Sequence, residues 1–345
     1  MTTSEPRSNT DAISRNASMS TSGPLTGLHH QLNRRARWVV ACCVAARATP
    51  GSSCLLSYAG CTVAGLRDLA SPWQWLYAAM LIPACAILML DRARWGLLLL
   101  AIPLPLVTAF ESAPTAARET GMAVLSVASI NVHLDNRDTA PLVRWLTEAS
   151  PDVVVLHEVS PEYARQLESY GGYLYKQLAP ASDPFGIAIL SRLPLIGANT
   201  SADMDGIRHI SAQLNWHGQP VTLVTWHPMP PLSPRYHQAR NTRLRAIAQA
   251  VGRDSYPAVL AGDLNATPWS NAFHEIDQMG LRRATGLLPT WPAAGLGWMG
   301  IPIDQVLISA HWTVVEASRG PDLGSDHLPV VVRIALVRNE IRASY

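Results

Sequence analysis

The stretches AVLSVASINVH at residues 123–133 and DVVVLHEV at residues 152–159 decide the fold class. Both are short and almost continuously apolar, the pattern of strands that are buried on both faces. The segment between them begins at Thr139, has Pro141 in its first turn and places Leu142 and Leu146 on one face, which predicts an amphipathic helix. Strand, helix and strand in this order predict an α/β domain.

The same alternation continues to the end of the chain. Helices are predicted from Ser160, which suits an N-cap, from about Ser233 to Val251, and shortly after Pro268. The predicted strands between and after them are FGIAILSR, IRHISAQLNW, VTLVTWH, AVLAG, IDQVLIS, WTVVEAS and LPVVVRIAL, with HGQP as a hairpin-like turn between the second and third. One α/β domain over residues 123–338 is therefore expected, with enough chain for a sizeable core.

Polar side chains of catalytic type recur at the ends of these strands. Because α/β folds place their sites at strand ends, the clustering points to a site rather than to packing. Asp263 and Asn265 taken alone also suit a turn, and Asn131 taken alone suits a strand-end cap. The full set is Asn131, Glu158, His227, Asp263, Asn265, Asp304, Asp326 and His327.

These residue types suit phosphoester hydrolysis with a hard divalent cation. Carboxylate and amide oxygens are ligands that Mg²⁺ accepts, with phosphate oxygens and water completing its shell, and Mn²⁺ is a possible substitute. All five cysteines, at positions 42, 43, 54, 61 and 85, precede the α/β domain, which excludes a disulfide-stapled or cysteine-zinc domain there. The sequence therefore favours Mg²⁺ over zinc.

The motifs SINVH, VVVLHEV, GIAILSR, WHPMPP, AGDLNATPWS, IDQVLIS and GSDHLPVVV resemble, in order and spacing, the endonuclease/exonuclease/phosphatase superfamily. The resemblance covers Val124 to Leu336 and implies a four-layer α/β sandwich of two packed sheets flanked by helices. It also implies a Mg²⁺-dependent hydrolase of phosphoester bonds. The N-terminal part resembles that of uncharacterised membrane-anchored bacterial members.

The resemblance implies roles residue by residue. Glu158 would be the principal metal ligand, with Asn131 beside it contacting the metal or the phosphate and Asp326 supporting the metal shell. Asp263 would activate the attacking water, although the resemblance leaves open whether Asp263 or His327 is the general base. In addition, Asn265 would hold the water or a phosphate oxygen, and His327 oriented by Asp304 would donate to the phosphate. His227 would stabilise the leaving oxygen or the pentacoordinate transition state.

Two positions depart from the family pattern, and two others are candidate phosphate donors. His157 stands where the family commonly has Gln, and Gln305 stands where His or Tyr is frequent, which bears on substrate preference more than on activity. The spacing of Arg240, Arg243 and Arg245 on the predicted helix favours a solvated helix face over a phosphate clamp, but Arg240 with Asn241 would bind substrate if the site needs a further donor.

The charged residues, 15% of the chain, are missing mainly from residues 38–110, where only six occur. The uncharged runs Leu69–Leu90, Trp95–Phe110 and Ala48–Leu66 predict about three transmembrane helices in a membrane region at residues 34–110, although three buried helices of a soluble domain remain an alternative. A disordered cytoplasmic tail is expected at residues 1–33 and a linker at residues 111–122.

The arginines before the first run and at positions 92 and 94 orient the chain by the positive-inside rule. Three crossings would place the catalytic domain on the periplasmic or extracellular side of a bacterial inner membrane. From Gly121 onward there are 17 basic and 19 acidic residues, which weakens the case for a nuclease without excluding it. The expected substrate is a phospholipid, a small phosphoester or a nucleic acid, and a catalytically inactive membrane scaffold is the alternative from another class.

Overall fold

The computed structural model describes residues 123–252, 256–297 and 300–337, together with Asp68, Ala79, Met80 and Pro83. The predicted tail, the linker up to residue 122 and the three predicted spans lie outside the described residues, apart from the four single positions. Among the residues that are described, no helix is long and apolar enough to cross a bilayer.

The first of two six-stranded sheets contains both stretches that decide the fold class. Its strands run in the order β11-β12-β1-β2-β4-β3, and only β1 and β2 are parallel neighbours. The strands are β1 (Val124–Asn131), β2 (Val153–His157), β3 (Tyr175–Ala179), β4 (Ile187–Ser191), β11 (Trp312–Arg319) and β12 (Val330–Leu336).

The second sheet has the order β5-β6-β7-β8-β10-β9, with β7 and β8 as its parallel pair. His217 and Gly218 form the turn between β6 and β7, and both have a positive φ, as hairpin turns of two residues require. The strands are β5 (Ile196–Ala202), β6 (Arg208–Trp216), β7 (Gln219–Trp226), β8 (Ala258–Asp263), β9 (Leu281–Arg283) and β10 (Asp304–Ser309).

Four helices cover the outer faces of the two sheets. They are α1 (Ala140–Ala149), α2 (Pro161–Ser169), α3 (Pro234–Gly252) and α4 (Asn271–Asp277). Ser160 caps α2 as predicted, because its hydroxyl accepts a hydrogen bond from the backbone N–H of Tyr163. Thr139 is the first residue before α1, but its side chain makes no capping hydrogen bond.

The core has three layers of apolar side chains, which explains the continuous apolar runs. In β2, Val153 and Val155 pack between the sheets, whereas Val154 and Leu156 pack against α1 and α2. On the other side, α3 and α4 pack on the second sheet through residues such as Leu244. The two packed mixed sheets with flanking helices confirm the expected α/β sandwich.

The sequence missed three strands, and each has a physical reason. β3 and β5 are edge strands of half-buried and exposed residues, so they lack the apolar runs that mark the central strands. β9 has only three residues. The central strands, which position the site, were all predicted.

Candidate active site

The strand ends that carry polar side chains meet at one end of the sandwich. The parallel strands β1 and β2 end there with Asn131 and His157, and Glu158 follows directly. In the second sheet Asp263 ends β8 and lies opposite Asp304, the first residue of the antiparallel β10. Polar residues from six chain segments thus lie together at this end of the sandwich, as the sequence predicts.

Asn131 links the two carboxylates at the centre of the site. Its amide Nδ2 donates to Glu158 Oε1 at 2.8 Å and to Asp263 Oδ2 at 3.1 Å. Its Oδ1 accepts from the backbone N–H of His133. In this geometry Asn131 positions the carboxylates of both sheets and presents N–H groups, rather than its oxygen, to the centre.

Glu158 is held in place by strained backbone and by two hydrogen bonds. Its φ is +61°, a left-handed conformation that is uncommon for a residue other than glycine and that clusters at functional sites. Besides Asn131, the backbone N–H of Leu134 donates to its Oε2 at 3.0 Å. The carboxylate therefore faces the site with a fixed orientation. His133 and Asn265 at the same site also have positive φ, of 64° and 48°.

Asp263 is buried and surrounded by functional groups. The backbone N–H of Asn265 donates to its Oδ1, and its Oδ2 lies 3.6 Å from His227 Nδ1 and 3.7 Å from His327 Nε2. Burial and the nearby carboxylate of Asp304 raise the pKa of Asp263, and the two histidines offset this only in part. A carboxylate with a raised pKa is a stronger proton acceptor.

His327 and Asp304 form a buried pair. His327 Nδ1 lies 2.9 Å from Asp304 Oδ2, and both side chains are almost completely buried. Burial by itself lowers the pKa of His327, but the carboxylates of Asp304 and Asp263 outweigh it and raise that pKa to about 10. An oriented imidazolium therefore faces Asp263 through its Nε2.

His227 also contacts Asp263. Its Nδ1 is 3.0 Å from the backbone carbonyl oxygen of Asp263, and its Nε2 is 3.7 Å from Glu158 Oε1. Asn265 is held close by, since its Nδ2 donates to the carbonyl of Pro228 at 2.9 Å. Both residues thus lie with the central carboxylates, where the sequence predicts them.

Asp326 lies at the outer edge of the site. The indole N–H of Trp291 donates to its Oδ2 at 3.0 Å, and His133 Nδ1 is 3.3 Å from its Oδ1. His133 also lies 3.8 Å from Glu158 Oε2 and so stands between the two acids. The sequence did not single out His133, although it belongs to the SINVH motif, because its position depends on its left-handed backbone.

Arg240 and Asn241 do not line the cleft, whose lining includes Glu158, His227, Asp263, Asn265, Asp326 and His327. Arg240 is buried beside it, forms an ion pair with Asp68 and donates to the carbonyl of Asn265 at 2.5 Å. Its Nε donates to Asn241 Oδ1 at 3.0 Å. The guanidinium is thus engaged by protein partners, so its direct role as a phosphate ligand stays a prediction.

The two departures from the family pattern are buried and hydrogen bonded. His157 Nε2 lies 2.9 Å from Thr225 Oγ1, and burial together with the charges of His227 and His327 keeps its pKa well below the ordinary value. Gln305 accepts from Thr285 and donates to the carbonyl of Pro302. Neither side chain lines the cleft, so both support the residues beside them.

The donor set fits a hard divalent cation. Oxygen or nitrogen atoms of Glu158, His227 and Asp263 lie within 4.8 Å of one another, and a second group of this kind combines Asp263 with Asp304 and His327. In the second group the histidine is already bound to Asp304. Glu158 and Asp263 therefore provide the place where carboxylate oxygens would hold a cation such as Mg²⁺.

Comparison with known proteins agrees with this arrangement. The model of the endonuclease/exonuclease/phosphatase family matches residues 128–327. The sequence has no match among curated proteins. Solved structures with similar folds include D. rerio TDP2 complexed with a single-strand DNA product, at 19% identity and a TM-score of 0.51 over 61% of this chain and 99% of that one.

Two bacterial structures described as endonuclease/exonuclease/phosphatase proteins are similar to the same extent. The protein from Beutenbergia cavernae has 22% identity and a TM-score of 0.51, covering 62% of this chain and 72% of its own. The protein from Bacteroides vulgatus has 17% identity and a TM-score of 0.52, covering 62% of this chain and all of its own. At these identities the similarity establishes the fold.

Proposed function

The chain belongs to the endonuclease/exonuclease/phosphatase family, and from this we propose that it is a membrane-anchored, divalent-metal-dependent phosphoesterase that hydrolyses a phosphodiester or a phosphomonoester. One observation carries the proposal. A buried acid with a raised pKa, Asp263, and an oriented imidazolium, His327, face each other 3.7 Å apart beside the carboxylate of Glu158.

Three side chains would each have one role in an in-line displacement at phosphorus. Asp263 accepts a proton from the attacking water, since its raised pKa favours that transfer. His327, held by Asp304, donates a hydrogen bond to a phosphate oxygen as negative charge develops there. His227, whose Nδ1 lies 3.6 Å from Asp263 Oδ2, would stabilise the leaving oxygen.

Mg²⁺ is the proposed cofactor, and Mn²⁺ would substitute for it. Glu158 would hold the ion with Asp263 adjacent, while Asn131 fixes both carboxylates and Asp326 supports the edge of the site through His133. When bound, the cation neutralises phosphate charge and polarises the phosphoryl group.

The experiment that tests this function is hydrolysis of bis(p-nitrophenyl) phosphate by the purified full chain in detergent with Mg²⁺. Asp263→Asn and His327→Gln should each lower kcat by at least about a hundredfold. The matched control is Glu316→Gln, a carboxylate-to-amide change in an exposed pair with Arg333. Full activity in both site variants would refute the assignment.

Membrane anchoring is supported by the uncharged runs and by one contact. Asp68 lies in the sequence between two of the predicted spans, on the side of the membrane proposed for the catalytic domain, and it pairs with Arg240 of that domain. An alkaline phosphatase fused to the C-terminus should be active in bacteria, because that enzyme requires the periplasm. Activity of a cytoplasmic reporter at the same position would contradict the topology.

A nuclease activity is the second candidate. It is favoured by the fold shared with D. rerio TDP2, whose structure holds a single-strand DNA product. The charge balance of the catalytic domain argues against it, because nucleic-acid binding depends on neutralising phosphates.

A further inference from the structure

The cleft at the proposed active site has apolar walls. It encloses about 500 Å³, and Glu158, His227, Asp263 and His327 are among the described residues that line it. The walls are formed mainly by Phe185, Met229, Leu232, Ile301 and Ile303 with three prolines. A phosphate ester that fits this cleft therefore has its charged group near the polar residues and its substituent against apolar surface.

One wall is built into the segment that carries a catalytic residue. His227 follows β7 directly, and Met229, Pro230, Pro231 and Leu232 come next in the sequence. The prolines restrict the backbone of this segment, so its apolar surface is held at a fixed place beside the histidine. Leu232 at its end is 72% exposed, so this part of the apolar wall is open to solvent.

The cleft also lacks the cations that a nucleic-acid backbone requires. None of the described residues that line it is Lys or Arg, whereas four are acids: Asp68, Glu158, Asp263 and Asp326. The buried guanidinium of Arg240 beside the cleft already pairs with Asp68 and donates hydrogen bonds to Asn241 Oδ1 and the carbonyl oxygen of Asn265. Beyond the polar residues that would bind one phosphate, the successive phosphates of a polyanion would meet no Lys or Arg among the described residues that line the cleft.

We propose that this cleft selects an amphiphilic phosphodiester, in which a single phosphate carries an alkyl chain, over a nucleotide ester. The proposal rests on the phosphoesterase function above and names its substrate class. Water attacks phosphorus, the bond from phosphorus to the leaving oxygen breaks, and the leaving group departs with the electron pair. The alkyl phosphate monoester is the second product, and Asp263 receives the proton of the water.

The test uses the purified full chain with Mg²⁺ and a series of p-nitrophenyl phosphodiesters. Their second substituent is methyl, butyl, hexyl or 5′-thymidyl, so the leaving group is constant. We expect kcat/KM to rise by at least about tenfold from methyl to hexyl, because added methylenes leave water for the apolar wall. The thymidyl ester should be cleaved no faster than the butyl ester.

Two variants distinguish the effect of the apolar cleft wall from the effect of an exposed apolar side chain elsewhere on the surface. Leu232→Gln should reduce the hexyl-to-methyl ratio of kcat/KM by about threefold. Leu174→Gln is the matched control, since Leu174 is 82% exposed and does not line the cleft, and it should leave the ratio unchanged.

The outcomes distinguish this proposal from the function on which it rests. Equal kcat/KM for the methyl and hexyl esters, or a preference for the thymidyl ester over the hexyl ester, would overturn the proposed substrate class while leaving the phosphoesterase intact. Failure to cleave any of these diesters and also the monoester p-nitrophenyl phosphate would overturn the phosphoesterase function and the substrate class together. Cleavage of the monoester alone would overturn only the substrate class.

Discussion

Replacing Asp304 with Asn removes one negative charge and keeps the size of the side chain. Asp304 is completely buried, and its Oδ2 lies 2.9 Å from His327 Nδ1. An amide oxygen has the same shape and accepts the same hydrogen bond, so His327 should stay in place. What changes is the charge that keeps the imidazole protonated.

The size of the effect follows from the pKa of His327. It rises from the ordinary value of 6.5 to about 10 against the opposing effect of burial, and Asp304 is the strongest of the carboxylates responsible. Since one pKa unit corresponds to about 1.4 kcal/mol, the net preference for the imidazolium is about 5 kcal/mol. Without Asp304 the pKa of His327 should fall toward or below its ordinary value, leaving little imidazolium at about pH 8 and lowering kcat at least about a hundredfold.

The direction of the pKa shift of His327 also determines how stability and activity depend on pH. A histidine whose pKa is raised on folding stabilises the fold fully below about pH 6.5, and this stabilisation is lost as the pH rises through about 10. The wild-type protein should therefore keep its His327-dependent activity through about pH 9, whereas the activity of Asp304→Asn should decline as the pH rises past about 7.

The assay is the pH profile of kcat for bis(p-nitrophenyl) phosphate, with Glu316→Gln as the control for a carboxylate-to-amide change at an exposed site. A melting temperature for each variant separates lost chemistry from lost folding. If Asp304→Asn follows the wild-type profile in both rate and shape, the proposed role of the buried pair is wrong.

Three further predictions concern other parts of the site. Asp68→Ala leaves the buried guanidinium of Arg240 without its carboxylate and should lower the free energy of unfolding by about 3 kcal/mol. Denaturant titration of the full chain measures this change, and an unchanged midpoint would show that the ion pair contributes nothing. Gly262→Ala places a Cβ 2.1 Å from the carbonyl oxygen of Trp226 and should lower the free energy of unfolding by about 3 kcal/mol. Gly171→Ala is the control, because its Cβ meets nothing within 4 Å. Equal melting temperatures for the two variants would contradict the close approach of β7 and β8. His157→Gln introduces the residue common in the family, and the amide can keep a hydrogen bond to Thr225, so kcat should change by less than about threefold. A loss of about a hundredfold would mean that the imidazole takes a direct part in the reaction.

The sequence predicted the central strands because their apolar runs record burial on both faces. It also placed Glu158, Asp263 and Asp304 at strand ends, and the structure brings these ends together because parallel strands share an edge and the antiparallel strand β10 begins where β8 ends. Residue types at strand ends therefore carried most of the information about the site.

What the sequence did not predict depends on geometry that leaves no local pattern. The position of His133 follows from a single left-handed residue, and the pairing of Arg240 with Asp68 joins positions 172 residues apart. The edge strands β3 and β5 are too polar to stand out. Long-range contacts and isolated backbone conformations require the folded structure.

The most direct test of the central claim is a metal titration of the chelated full chain. Bis(p-nitrophenyl) phosphate hydrolysis is followed in EDTA and then with increasing free Mg²⁺ or Mn²⁺, for the wild type and for Glu158→Gln. A metal-dependent phosphoesterase that uses Glu158 should be inactive in EDTA, recover with added metal, and require at least about tenfold more metal in the variant. Hydrolysis that persists in EDTA, or identical titrations for the two proteins, would contradict it.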